Sequence, residues 1–198
     1  QSDMERSARL ATHDDLLELY SQVSTMLDEK HMGAISPCYP ASNPAIKQTF
    51  QDSTRVFGYM FLDGRKIATI LDKIDTSVRV AEDVMFLFCL LTNGINSRQL
   101  LKYVNKNLSD SKQYEEIRPL WQGLYSDGKV PKNYYATLEH YNALMKIKEK
   151  YPNFIDIYEK DGVVKNRKHW NKAYKYGRAK ADVAKTQSYL KKMKSGGG

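Results

Sequence analysis

Residues 56–71 read Val56-Phe57-Gly58-Tyr59-Met60-Phe61-Leu62-Asp63-Gly64-Arg65-Lys66-Ile67-Ala68-Thr69-Ile70-Leu71, two β-prone runs around an Asp-Gly pair. Asp-Gly readily supplies the two positive-φ positions of a tight turn, so the stretch predicts a hairpin. The competing reading extends a helix from upstream through Leu62 and stops it at Gly64. The choice decides the fold class, because the rest of the chain reads as helix.

Upstream, Leu16, Leu17, Leu19, Tyr20, Val23, Met26 and Leu27 recur at helical spacing behind a cap at Thr12 or Asp14. Residues 31–44 hold Gly33, Pro37, Pro40 and Pro44 and read as a loop, and Asn43-Pro44 opens a second helix carrying Ile46 and Phe50. Downstream, Thr76 or Ser77 caps a run from Val84 to Leu91 that is apolar nearly all round and closes at Asn93-Gly94. Such a helix belongs at the centre of a core. Ser97 caps a shorter helix with Leu100, Leu101, Tyr103 and Val104, and residues 109–124 form another with Ile117, Leu120 and Trp121. Pro131 opens a helix with Tyr134, Tyr135, Leu138, Tyr141, Leu144 and Ile147, and residues 153–160 make a short piece ending at Asp161-Gly162. From about residue 165 to 194 the chain is free of proline and rich in helix formers. Its least polar positions, Trp170, Tyr174, Gly177, Ala181, Ala184 and Ser188, make a narrow seam of small residues fit for a shallow groove or a neighbouring subunit. The expected architecture is mostly α, six to eight helices with at most one hairpin near 56–71. A helical core domain (1–162) would be followed by a basic, aromatic-interleaved C-terminal helix (163–198).

Charge is distributed unevenly. Residues 162–198 hold eleven Lys or Arg against the single acid Asp182, a net of +10, while the whole chain carries +8 and residues 1–161 therefore −2. A basic extension on a nearly neutral body points to a polyanionic partner. The predicted nucleic-acid contacts are Lys165, Arg167, Lys168, Lys172, Lys175, Arg178, Lys180, Lys185, Lys191 and Lys192, with Trp170 and Tyr174 interleaved to stack on bases or sugars. An anionic membrane fits less well, because the apolar side of this helix is small rather than bulky. Lys146, Lys148 and Lys150 form a lesser cluster that helix-end electrostatics accounts for.

Catalytic signatures are missing. His13, His31, His140 and His169 have no metal spacing with one another or with Cys38 and Cys89. The acid pairs Asp14-Asp15, Glu82-Asp83 and Glu115-Glu116 sit at expected helix starts, where the dipole favours them. Single scattered glycines make no phosphate loop, so neither metal nor cofactor is expected. No apolar run follows a basic start, and the longest apolar stretch, eight residues from Val84, is too short to span a bilayer, which suggests a soluble intracellular protein. Fourteen tyrosines suit subunit interfaces as well as cores. The expected function is a non-enzymatic nucleic-acid-binding structural protein, a self-assembling coat or nucleocapsid-type subunit that contacts phosphates without sequence preference. The alternatives are an adaptor whose basic helix docks on an acidic protein, and a nucleic-acid-processing enzyme whose acids converge only in three dimensions.

Overall fold

The computed structural model describes residues 11–38, 49–78, 80–104, 138–160 and 163–195. It is a mixed α/β structure, which corrects the mostly-α expectation with its single hairpin at 56–71. The first helix, α1 (His13–Leu27), forms as its sequence predicts. Thr12 and Asp15 close a capping box: the Thr12 hydroxyl accepts from the Asp15 N–H at 3.2 Å, and the Asp15 carboxylate accepts from the Thr12 N–H at 2.7 Å.

The expected loop at 31–44 is where the fold departs most from the sequence reading. Its first half is strand β1 (Met32–Cys38), buried at every position. Gly33 lies there because a neighbour is close: a Cβ at that position would sit 2.1 Å from Ile95 Cγ2. Pro37 falls at a register break between Pro37 and Cys38, the kind of irregularity that lets a residue without an N–H sit in a sheet.

The predicted hairpin at 56–71 does not form, and neither does the rival helix through Leu62. Short strands β2 (Phe50–Asp52) and β3 (Phe61–Leu62) precede a single helical turn and a half, α2 (Gly64–Ala68). Asp63 caps α2, its carboxylate accepting from the Arg65 N–H at 3.0 Å, so the Asp-Gly pair starts a helix instead of reversing a strand. Helix α3 (Glu82–Thr92) is followed by strand β4 (Asn96–Val104), where a helix capped by Ser97 was expected. A short run such as Leu100-Leu101 serves helix or buried strand equally, and pairing with β1 decides it.

The four strands make one mixed sheet in the order β2-β4-β1-β3. β1 and β4 are parallel and α3 crosses between them, while β2 and β3 pair antiparallel at the two edges. Arg98 on β4 is buried and ties the sheet to α1's end. It meets Asp52 and Glu29 at 2.5 Å each, with its guanidinium carbon 4.0 Å above the Phe50 ring.

The chain resumes with α4 (Leu138–Lys150), a ribbon of β5 (Ile155–Lys160) and β6 (Val163–Lys168), and α5 (Trp170–Ser195). Of the predicted helices, those at 44–50 and 109–124 and the opening of the one at 131–151 lie outside the described residues, apart from Phe50, which is in β2. Helix α3 is central, as its all-round apolarity predicts. One side (Val84, Met85, Phe88, Leu91) packs on Leu144, Ile147 and Tyr151, and the other (Leu87, Leu90) packs on Ala34, Val56 and Ile95 of the sheet side. Each such side chain contributes about 1.5–3 kcal/mol by leaving water.

Helix α5 lies against the end of α3 at backbone distance. A Cβ on Gly177 would sit 2.2 Å from Leu91 O and 2.5 Å from Gly94 N, and Gly94 itself has φ +78°. Rigid backbone faces Gly177, so Gly177→Ala should lower stability by about 1–3 kcal/mol despite alanine's better helix propensity. Gly64→Ala, whose Cβ would meet nothing within 4 Å, should stay within about 1 kcal/mol of the parent. Urea midpoints of the two variants check the contrast.

Candidate nucleic-acid interface

The basic residues singled out in the sequence fall on two consecutive elements, β6 and α5. Strand β5 alternates Ile155, Asp156, Ile157, Tyr158, which puts Ile155 and Ile157 on one side of the ribbon and Asp156 and Tyr158 on the other. The isoleucine side packs into the core, with Ile155 fully buried. In register, Tyr158 faces Lys165 and Asp156 faces Arg167. The strands flank residues 161–162, pairing Lys160 with Val163.

His169 links ribbon to helix. Its N–H donates to Phe154 O at 2.8 Å, and its carbonyl accepts from the Ala173 N–H at 3.0 Å to start α5. Its Nε2 lies 2.7 Å from the Asp156 carboxylate, which holds that carboxyl below its usual range. The histidine thus has a structural partner.

The seam of small residues docks as predicted over its first half. Ala173 and Gly177 are buried, Trp170 lies 4.6 Å from the Phe88 ring, and Tyr174 packs on the same cluster. The two aromatics expected to stack on bases therefore serve as core anchors. Tyr176, outside the seam, is exposed but rests its ring 5.4 Å from Phe154. From Asp182 to Ser188 the helix is exposed all round.

The cations divide into three groups. Lys165, Arg167, Lys172, Lys175, Lys180 and Lys185 are exposed, and among the described residues none has an ion-pair partner. Arg178 is engaged: it donates to Asp182 at 3.1 Å and to His31 Nδ1 at 3.3 Å. Burial, and then the positive charge of Arg178, push His31 below its ordinary pKa, so the ring accepts as the neutral form. Lys168 is half-buried on the inner side of the ribbon opposite Ile155, where burial and then repulsion from Arg55 bring it down to about 8. Lys191 and Lys192 lie within the span of α5, beyond the described side chains.

Elsewhere among the described residues most cations are matched. Arg55, Arg65, Lys66, Arg98, Lys102 and Lys150 each meet a carboxylate at 2.5 to 3.3 Å. Lys148 donates to the carbonyls of Pro152 and Ile155, both beyond the end of α4. A cleft of about 380 Å³ between α1 and α2 is lined by Asp28, Lys30, His31, Asp63, Arg65 and Lys66. Of its two acids, Asp63 is held well below the usual carboxylate range by Lys66 and then Arg65, a fixed ion rather than a proton shuttle. Among the described residues no group of His, Cys, Asp or Glu is placed to hold a metal, and no helix is long and apolar enough to cross a membrane. Cys38 and Cys89 are buried thiols, both pushed up by burial.

Two exposed residues beside these cations, Tyr158 and Lys160, were not among the contacts predicted from the sequence. The alternation Ile155, Ile157 against Asp156, Tyr158 is the signal that would have found them, since it has the period of a strand. No family model, curated protein or solved structure matches the chain.

Lys168 carries a pH signature. The unfolded chain keeps its proton up to the ordinary value of 10.5, whereas the folded chain releases it near 8. Between these values the unfolded state binds more protons, so stability rises with pH. Lys168→Met should flatten that rise and add about 1 kcal/mol at neutral pH, the full shift being discounted for a half-buried group. Urea unfolding from pH 7 to 10.5 measures both.

Proposed function

We propose that this chain is a non-enzymatic nucleic-acid-binding structural protein, a self-assembling coat or nucleocapsid-type subunit that neutralises phosphates without reading sequence. One observation carries the reading. Among the described residues, most cations outside β6 and α5 are matched by carboxylates or carbonyls, whereas six on β6 and α5 stand exposed and without an ion-pair partner. Unmatched surface cations repel one another in the folded state, and a polyanion relieves that repulsion while its counterions are released. The reading rests on Lys and Arg alone, because Trp170 and Tyr174 are committed to the core.

Self-assembly is supported by an exposed apolar patch where α1 meets β3. Tyr20 on α1 and Tyr59 just before β3 are exposed there, their hydroxyls 3.1 Å apart and both rings edge-on to Phe61, and Leu16 and Leu17 are exposed on the same helix as Tyr20. Patches of this composition suit contact with a second copy of the chain.

The test of binding must leave α5 in place, since removing it would open the core over Phe88. A variant with Lys165, Arg167, Lys172, Lys175, Lys180 and Lys185 all changed to Gln should bind single strands more weakly, with a log affinity–log salt slope shallower by up to about 4. An unchanged slope would count against the reading and favour an acidic protein partner. For assembly, Leu17→Lys should shift sedimentation toward smaller species at equal protein concentration, and an unchanged profile would remove this patch from the interface.

A further inference from the structure

We infer that the solvent side of the β5–β6 ribbon is a stacking platform for single-stranded nucleic acid, with Tyr158 meeting a base and Lys160, Lys165 and Arg167 meeting flanking phosphates. The inference rests on the proposed nucleic-acid binding and narrows it to a place and a strand state.

The register builds this surface. Tyr158 and Lys165 are direct cross-strand partners, so they share a face, and Lys160 and Arg167 lie two residues along their own strands on that same face. All four side chains are exposed, Tyr158 at 47% of its surface. The opposite face is held down by Ile155 and Ile157, so the ribbon presents one side to solvent from a fixed base. Asp156, the acid on the outer face, is drawn to His169 at 2.7 Å, and three cations outnumber it.

Tyr158 is distinguished from the other aromatics of this region by what its ring touches. Trp170 lies against Phe88, Tyr174 is half-buried in the same cluster, and Tyr176 lies against Phe154. Among the described residues the Tyr158 ring has neither an aromatic neighbour nor a hydrogen-bond partner. An exposed ring bordered by cations offers a π-face to a base and charge to its phosphates. In a duplex the base faces are already stacked on one another, so this geometry selects unpaired strands.

The experiment compares fluorescein-labelled oligouridine and oligothymidine of about 15 nucleotides with a duplex of similar length, by anisotropy at low salt. Tyr158→Ala and Tyr158→Leu should weaken single-strand binding roughly 5- to 100-fold, while duplex binding changes less than about twofold. Tyr158→Phe, which keeps the ring, should bind like the parent, and the salt slope should be the same in all three. Loss on either polymer supports the inference. Equal losses on single strand and duplex overturn it, as does parental binding by both the Ala and Leu variants. If those variants bind normally while the six-Gln variant loses affinity, the platform fails and general phosphate binding stands. If the parent binds none of the probes, both fall.

Discussion

The contact at Gly94 and Gly177 is the constraint on which the placement of the basic surface depends. Backbone meets backbone there, with no side chain to spare on either side. That closeness lets Trp170, Ala173 and Tyr174 reach the Phe88 cluster, and it fixes the rotation of α5 about its own axis. Once the seam is turned inward, Lys172 and Lys175 have nowhere to point but solvent. The same helix start is joined through His169 to the foot of the ribbon, so helix and ribbon are positioned together.

Charge is handled in two ways within one chain. In the sheet, Arg98 is buried only because Asp52 and Glu29 satisfy its guanidinium and Phe50 covers it. A buried cation stripped of such partners would be strongly destabilising. Among the described residues Lys168 has no close carboxylate of that kind, and burial answers by lowering its affinity for the proton. The exposed lysines of α5 incur no such cost, because water solvates them. A long helix with its cations outward is therefore compatible with stability while keeping its field available to a polyanion.

Two Asp-Gly pairs show how much local sequence can decide. Both are turn signals, yet Asp63-Gly64 begins α2 and Asp161-Gly162 lies between paired strands. The difference lies in the flanks. After Gly64, Arg65, Lys66 and Ala68 favour helix, and Asp63 finds free N–H groups to cap. Around Asp161-Gly162, Ile155, Ile157, Val163 and Val164 favour strands, and the period of two runs along β5. The loop reading failed over Met32–Cys38 for another reason: this stretch contains small residues, a glycine and a proline, and reads as strand only once β4 lies beside it, while residues 39–44 lie outside the described residues.

What the sequence alone determined were the features governed by neighbours along the chain. These are the start of α1 near Thr12 or Asp14, the buried character of α3, the small-residue seam of α5 and the excess of positive charge after residue 161. Helical periodicity and net charge need no distant partner to be read. The tertiary structure decided what depends on pairing across long stretches of chain: that β1 and β4 are strands, that Trp170 faces Phe88, and that Tyr158 lies beside Lys165 on an open face. A short apolar run has similar energy as helix or strand until another strand completes its hydrogen bonds, and an aromatic is core or surface only once the fold has chosen its inside.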